Sequence, residues 1–158
     1  MLLAGYDASS ETSELQRGYY ILNTDAGMES SGAKSAGEPP GLAAIGALLR
    51  TPRLAPLAEI SKRIGRCSHN EAEYRALIEG LKLADQKGIN RIRVYMDSEL
   101  VVDQMNGLSA VKEPRLKKLH TIASELAGHF VSIRFSWVPR EMNVEADRLA
   151  SRALGKSR

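Results

Sequence analysis

The sequence predicts an α/β fold in which a mixed β-sheet is covered by helices. The first half carries short runs rich in β-branched and aromatic residues, separated by glycine and proline, which is typical of an antiparallel meander. From residue 69 onward, segments with helical periodicity alternate with segments of strand character. Apolar residues make up 43% of the 158 residues, which is enough for the core of one compact domain. The predicted element order is β-β-β-α-β-α-α-β-α, and this order favours a mixed sheet flanked by helices.

The first half of the chain is predicted to hold three strands. Residues 1–17 are polar and aperiodic, and we interpret them as a flexible lead-in or the stub of a linker. Residues 26–41 contain four glycines and two prolines and are therefore expected to form a long glycine-rich loop. The predicted strands are 18–25, 42–50 and 54–66, with the last two joined by a turn at Thr51, Pro52 and Arg53.

The second half is predicted to alternate helices with strands. A helix is expected over 69–87, because alanine and leucine recur there at helical spacing. Either Ser68 or Asn70 is suited to cap its start, and Gly88 is suited to end it. Pro114 fits the first turn of a later helix, where its missing N–H is tolerated. The other predicted helices are 98–106, 113–127 and 141–154, and the other predicted strands are 91–96 and 131–138.

Charge, cysteine content and hydropathy limit the classes of function. The formal net charge is +3 and the pI is about 9.1, which permits a polyanionic partner without indicating one. Cys67 is the only cysteine, so no disulfide forms within the chain, and we interpret it as a small core hydrophobe. No apolar run reaches the ~18 residues of a membrane helix, and the N-terminus lacks the basic region of a signal peptide. We therefore expect a cytoplasmic protein that does not bind membranes.

Four acidic residues occupy positions where α/β proteins concentrate function. Asp25 closes the first predicted strand, and Asp97 directly follows the strand at 91–96. Glu73 is expected in the first turn of the long helix, and Asp147 one to two turns into the last helix. Each of them alone has an ordinary explanation as a capping residue or a surface acid. Together they favour a site for hard divalent cations, which need several oxygen ligands.

Sequence strings around these acids resemble the ribonuclease H type 1 family. The strings are TDAG at 24–27, NEAEYRALIEGL at 70–81, MDSELVV at 96–102 and NVEADRLA at 143–150. They follow that family's order and approximate spacing over residues 18–154. The resemblance implies a ribonuclease H-like fold for residues 18–158, with a five-stranded mixed sheet in the order 3-2-1-4-5 flanked by helices. It also implies an endoribonuclease that hydrolyses the RNA strand of RNA–DNA hybrids and leaves 5′-phosphate and 3′-hydroxyl ends.

The same resemblance implies which residues carry the reaction. The implied catalytic residues and metal ligands are Asp25, Glu73, Asp97 and Asp147. They would hold two Mg²⁺ ions, with Mn²⁺ as an alternative. Asp25 would bridge the ions, Asp147 would complete one of them, and the other two acids would complete the second. Two such ions activate water and neutralise the leaving oxygen of an in-line displacement, so no side-chain nucleophile is required.

The chain departs from the family pattern at two places. Some members carry a histidine in the loop after the last strand, whereas this chain has Arg140, as in one branch of the family. We predict a catalytic role for Arg140, with a solvated loop cation as the alternative. Residues 107–118 are too short for the basic protrusion of other members, so their basic residues are either a weaker substitute or a solvated face. The predicted substrate-binding residues are Gly27, Ser68, His69, Asn70, Glu99 and Asn143.

The sequence leaves two other functions open. One is a retroviral-type or transposase-like nuclease on the same fold, which cleavage of duplex DNA would distinguish. The other is a binding module that lacks catalysis, and the presence of all four acids argues against it. The expected partner is an RNA–DNA hybrid, recognised by groove shape, 2′-hydroxyls and phosphates, with no obligatory protein partner.

Overall fold

The computed structural model describes residues 18–29 and 41–156, which form one sheet with helices on both faces. The predicted lead-in at 1–17 and most of the predicted glycine-rich loop lie outside the described residues. None of the helices within the described ranges has the length and hydrophobicity of a membrane span. The elements are β1 (Tyr19–Glu29), β2 (Gly41–Arg50), β3 (Pro56–Cys67), α1 (His69–Gln86), β4 (Arg91–Met96), α2 (Glu99–Met105), α3 (Pro114–Ala127), β5 (Ser132–Trp137), a 3₁₀ turn (Arg140–Met142) and α4 (Val144–Ala153).

The strands form one five-stranded sheet in the order β3-β2-β1-β4-β5. The pairs β1–β2 and β2–β3 are antiparallel, whereas β1–β4 and β4–β5 are parallel. The predicted mixed sheet, its strand order and the order of elements along the chain are thereby confirmed. Because β1 and β4 run in parallel, Thr24 pairs with Met96. The residues that follow are Asp25 in β1 and Asp97 just beyond the end of β4, and they are therefore brought side by side.

Helix α1 packs its apolar side against one face of the sheet. Tyr74, Leu77 and Leu81 are fully buried at helical spacing and share a core cluster with Leu22 and Ile92. Complete burial of such a side chain stabilises the fold by roughly 1.5–3 kcal/mol. This packing fixes α1 and every side chain that it carries relative to β1.

Two glycines allow helices to approach the sheet closely from its two faces. A Cβ added at Gly80 of α1 would lie 3.0 Å from the Leu22 side chain. A Cβ added at Gly46 of β2 would lie 2.2 Å from the carbonyl oxygen of Ala146 in α4, which is shorter than any real contact. Both helices that carry predicted site acids therefore rest directly on the sheet.

The start of α1 is set by a capping box. The Ser68 hydroxyl accepts a hydrogen bond from the Glu71 N–H at 3.2 Å, and the Glu71 carboxylate accepts one from the Ser68 N–H at 3.2 Å. Ser68, and not Asn70, is thus the N-cap. Glu71 is the acid of the first turn. The prediction that Glu73 lies in that turn is wrong, because the capping residues place it in the second turn.

Strand β1 is longer than predicted. It runs to Glu29, because residues 26–29 pair with residues 42–45 of β2. Asp25 therefore pairs with Gly46 inside the strand, and the prediction that Asp25 closes the strand is wrong. The antiparallel ladder outweighs the weak strand preference of glycine in this segment.

The last helix starts later than predicted. Arg140–Met142 form a 3₁₀ turn, and Asn143 interrupts the helical backbone at φ −124° and ψ 30°. Helix α4 consequently begins at Val144, so the prediction of one helix over 141–154 is wrong at its start. Asp147 lies in the first turn of α4, and not one to two turns in. The other predicted boundaries agree with the structure within two residues.

Candidate active site

Three carboxylates meet where β1 and β4 lie side by side under the start of α1. Asp25, Glu73 and Asp97 each place a carboxylate oxygen within 4.8 Å of the other two. The parallel register of the strands brings the two aspartates together, and the packing of α1 adds the glutamate. These residues are separated by up to 72 positions in sequence, since 97 − 25 = 72, and only the fold unites them.

The hydrogen bonds of this cluster leave one oxygen of Glu73 unsatisfied. Glu73 is fully buried, and its Oε1 accepts a hydrogen bond from the Ala26 N–H at 2.8 Å. The same N–H also lies 2.9 Å from Oδ1 of Asp25. Oε2 of Glu73 has no hydrogen-bond partner among the described residues. A buried carboxylate oxygen without a donor is costly, so the cluster is suited to an added cation or proton.

Burial and mutual repulsion raise the pKa values of two of these acids. Burial, followed by the charge of Asp97, raises the pKa of Asp25 from 3.8 to about 7. Burial, followed by the charges of Asp25 and Asp97, raises the pKa of Glu73 well above its usual value. A divalent cation would offset both causes, because it neutralises the charges and occupies the space between them.

Asp147 stands on the wall of the same cleft. It is 7% exposed and lines the cleft from the first turn of α4, but it is outside the group of three mutually close carboxylates. The structure thus brings three of the predicted acids together and places the fourth beside them. A ligand that fills the cleft would contact both the three clustered carboxylates and Asp147.

Asn143 connects α4 to the strand that carries Asp25. Its Nδ2 donates to the Thr24 carbonyl oxygen at 2.9 Å, and its Oδ1 accepts from Nδ2 of Asn23 at 3.1 Å. Asn143 is fully buried and is absent from the cleft wall. Its position therefore suits a brace that positions α4 on β1, and the substrate contact stays a prediction.

The cleft has a volume of about 380 Å³ and contains groups of both charges. On its wall His69 is half-exposed, with Nε2 3.7 Å from Oε1 of Glu73. Arg140 and Lys156 add two cations to the wall. The lining residues are Asp25, Ala26, Gly27, Met28, His69, Glu73, Asp97, Ser98, Arg140, Asp147, Ser151 and Lys156. The arrangement is suited to an anionic ligand that bridges metal ions and side-chain cations.

The other predicted substrate-binding residues have different positions. Gly27 and His69 line the cleft, whereas Ser68 is occupied as the N-cap of α1. Asn70 and the exposed Glu99 belong to the first turns of α1 and α2 and are absent from the cleft wall.

Sequence reasoning missed several residues of the cleft wall. Ser151 follows Asp147 by four residues, so helical spacing alone would have placed it on the same side of α4. Ser98 directly follows Asp97. Lys156, whose Nζ donates to the Met28 carbonyl oxygen at 3.1 Å, carries no local signal. Its place on the wall depends on a contact between β1 and the C-terminal end of the described chain.

A larger opening of about 550 Å³ lies between α2 and α3. It is lined by Gln104, Met105, Gly107, Ser109, Val111, Lys117, His120, Thr121 and Ser124. It contains no carboxylate that could join a metal site. The smaller cleft, which holds the acids, is therefore the candidate active site.

Comparison with known protein families gives a match over most of the chain. The family described as reverse transcriptase-like matches residues 32–153. The bifunctional protein Rv2228c of Mycobacterium tuberculosis is 47% identical over 116 residues, covering 73% of this chain and 32% of that protein. Ribonuclease HI of Halobacterium salinarum is 38% identical over 115 residues, covering 73% of this chain and 58% of that protein. The chain thus matches less than two thirds of the length of these relatives.

Solved structures show the same fold with higher coverage. The N-terminal ribonuclease H domain of Rv2228c has a TM-score of 0.76 at 43% identity, covering 85% of this chain and 98% of that chain. Ribonuclease H1 of Halobacterium salinarum has a TM-score of 0.77 at 34% identity, covering 89% of this chain and all of the other. LC11-RNase H1, solved in complex with an RNA/DNA hybrid, has a TM-score of 0.75 at 35% identity, covering 86% of this chain and 96% of that chain.

Proposed function

Because this chain belongs to the ribonuclease H-like family, we propose that it is an endoribonuclease that hydrolyses the RNA strand of RNA–DNA hybrids. The observation that carries the proposal is the cluster of Asp25, Glu73 and Asp97, whose carboxylate oxygens lie within 4.8 Å of one another. One solved relative of the same fold is in complex with an RNA/DNA hybrid, which supports this choice of substrate.

The donor set of the cleft fits divalent cations. All of its candidate ligands are carboxylate oxygens, which Mg²⁺ and Mn²⁺ prefer, and one of these oxygens has no partner in the described chain. We propose two Mg²⁺ ions, with Mn²⁺ as an alternative, held by Asp25, Glu73, Asp97 and Asp147. When bound, the ions would supply the activation of water and the neutralisation of charge in an in-line displacement.

The proposed reaction uses water as the nucleophile and needs no nucleophilic side chain. A water molecule attacks the phosphorus of the RNA strand, the bond from phosphorus to O3′ breaks, and O3′ takes up a proton. The products are therefore a 5′-phosphate and a 3′-hydroxyl. Asp25, Glu73 and Asp97 would hold metal in the cluster, and Asp147 would add a carboxylate from the cleft wall. Glu73 is held in place by the Ala26 N–H, so its carboxylate is fixed before the substrate arrives.

The cations of the cleft wall provide the contacts to the substrate. Arg140 is exposed at the rim, where we propose that it assists the attacking water or the departing product. His69 and Gly27 line the cleft and would contact the RNA strand. Selection of a hybrid would rest on groove shape and 2′-hydroxyls, so we propose little sequence preference. The proposal requires no protein partner, and a cytoplasmic location suits the lone, buried Cys67.

One assay tests the proposed activity. A labelled RNA–DNA hybrid, a DNA duplex and an RNA duplex are each incubated with the protein, with Mg²⁺ or with chelator. We expect cleavage of the RNA strand of the hybrid in Mg²⁺ alone, with 5′-phosphate on the products. Comparable cleavage of the DNA duplex would favour a transposase-like nuclease, and binding of the hybrid without cleavage would indicate a binding module.

A further inference from the structure

Three arginines stand side by side on the surface of the sheet at β4 and β5, and we call them the arginine face: Arg91, Arg93 and Arg134. Arg93 and Arg134 are paired in the parallel register, so their side chains leave the sheet on the same side. Arg91 precedes Arg93 by two residues and shares that side. The alternate residues Ile92 and Val94 are fully buried on the opposite side. The arginine face therefore lies on the side of these strands away from the core, with Arg134 exposed and Arg91 and Arg93 partly exposed.

An aromatic ring holds two of the guanidinium groups in place. The guanidinium carbon of Arg93 lies 4.8 Å from the centre of the Tyr19 ring, and that of Arg91 lies 5.6 Å from it. The Tyr19 hydroxyl is in turn hydrogen-bonded to Oγ of Ser132 at 3.0 Å. Side chains that are already ordered lose less conformational entropy when they bind a ligand, so the arginine face is pre-organised.

The arginine face has no acidic partner in the described part of the chain. None of the ion pairs there includes Arg91, Arg93 or Arg134. Nε of Arg93 is buried there without a hydrogen-bond partner. Arg50, across β1 on the same side of the sheet, is by contrast paired with Glu145 at 3.3 Å. Charges that repel one another at this spacing are stabilised by an external anion.

We propose that the arginine face binds the phosphodiester backbone of a nucleic acid outside the catalytic cleft. Planar guanidinium groups match phosphate oxygens, and the exposed Ser136 adds a hydroxyl donor beside them. The arginines repeat at about 7 Å along a strand and about 5 Å between strands, which suits a closely charged polyanion. Arg93 pairs with Ile21 and Arg91 pairs with Tyr19, which are four and six residues before Asp25 in β1. The arginines therefore attach to the sheet about 13–20 Å from Asp25, and they are absent from the cleft wall.

The test measures binding of a labelled DNA duplex of about 20 base pairs by fluorescence anisotropy. The titration is repeated from ~50 to ~200 mM salt in the presence of chelator. One variant carries Arg91→Gln, Arg93→Gln and Arg134→Gln. A matched variant removes three exposed cations elsewhere, through Arg53→Gln, Lys82→Gln and Lys87→Gln. We expect the first variant to bind about 10-fold more weakly and to lose about 2–3 from the slope of log affinity against log salt. The matched variant should lose less than about 1 from the slope.

Several outcomes would overturn this inference. Equal losses in both triple variants would assign the effect to net charge, and an unchanged slope in the first variant would remove the site. Competition by poly-glutamate as strong as that by unlabelled DNA would mean that the site does not select nucleic acid. If the triple variant fails to fold, the single variant Arg134→Gln, at an exposed position, gives a second measurement. It should reduce the slope of log affinity against log salt by about 1. Because duplex binding in chelator involves no cleavage, the result stands apart from that of the hybrid assay.

Discussion

At the scale of single residues, the backbone N–H of Ala26 cannot by itself stabilise the negative charge of the cleft. It donates to both Asp25 and Glu73, at 2.9 and 2.8 Å, and one hydrogen cannot satisfy two carboxylates. The remaining charge must be offset by protons or by cations. At neutral pH the raised pKa of Asp25, about 7, makes these two possibilities compete.

The first prediction at this scale concerns Asp97. Asp97→Asn keeps the volume of the side chain and removes a charge that would hold metal, so we expect a loss of ~10³-fold or more in hybrid cleavage. The measurement is the single-turnover rate of the purified, folded variant. Asp103→Asn on α2, a matched change outside the cleft, should retain the wild-type rate. A rate for Asp97→Asn above about a tenth of wild type would contradict the role that we assign to Asp97.

The second prediction concerns Arg140. If this exposed cation assists the attacking water or the departing product, Arg140→Ala should lower kcat more than it weakens hybrid binding. The comparison requires kcat from steady-state kinetics and the Kd for a hybrid in Ca²⁺ or chelator. Arg53→Ala, in the turn between β2 and β3, serves as the control for charge. Weaker binding with an unchanged kcat would make Arg140 a phosphate contact only.

At the scale of secondary-structure elements, the positions of the acids follow from how the helices rest on the sheet. Helix α4 lies against β2 at Gly46, and the Asn143 side chain ties its start to the carbonyl oxygen of Thr24. Asp147, one turn further along α4, is thereby directed toward the cleft. A change that lifts α4 should consequently affect both stability and activity.

The third prediction tests this arrangement with Gly46→Ala. The added Cβ would lie 2.2 Å from the Ala146 carbonyl oxygen and 2.6 Å from the Ala150 nitrogen, so the backbone of α4 must shift. We expect a loss of about 1–3 kcal/mol in the free energy of unfolding, together with reduced cleavage. Gly128→Ala, where the nearest atom would be 3.3 Å away, should cost much less in the same denaturant titration. Equal stability of the two variants would show that α4 does not depend on this close approach.

At the scale of the whole molecule, the chain gathers negative charge from several elements into a buried cleft while its overall charge is +3. The four acids come from β1, α1, α4 and the end of β4, so the charge assembles only when the chain folds. Folding without metal therefore works against carboxylate repulsion. Binding of the proposed metal should recover that free energy, because a cation held by all four acids would bind only the assembled site.

The fourth prediction is the pH dependence of stability in chelator. The pKa of Asp25 rises from 3.8 to about 7 on folding, so the folded state binds more protons than the unfolded state in that interval. By linkage, this contribution to stability is present below pH 3.8 and is lost as the pH rises toward about 7. Asp25→Asn should reduce the loss and raise metal-free stability at neutral pH by ~1 kcal/mol. Thermal unfolding across this pH range gives the measurement.

Excess Mg²⁺ provides the control for this prediction. It should raise the Tm of the wild type more than that of Asp25→Asn, because the variant has lost one of the proposed charged ligands. If Asp25→Asn is less stable than wild type in chelator, and Mg²⁺ shifts both proteins equally, the acids do not form a metal site.

The sequence by itself determined the order of the elements and the identity of the acids. Helical spacing of alanine and leucine located α1, and alternating apolar residues located β4, because burial on one side leaves a periodic pattern in the chain. The strings around the acids led to the family and, through it, to the strand order. Local patterns also predicted most boundaries within two residues, since caps and turns depend on near neighbours.

The tertiary structure decided what depends on contacts between distant segments. Pairing with β2 extended β1 through Glu29, although the glycine in that segment indicated a loop. Buried hydrogen bonds link the Asn143 side chain to β1, and a Lys156 contact brought an unpredicted cation to the cleft. The sharing of the Ala26 N–H by two carboxylates and the raised pKa of Asp25 also result from contacts between distant segments. Their physical reason is that burial, register and electrostatic repulsion are properties of neighbours in space, which a single sequence does not specify.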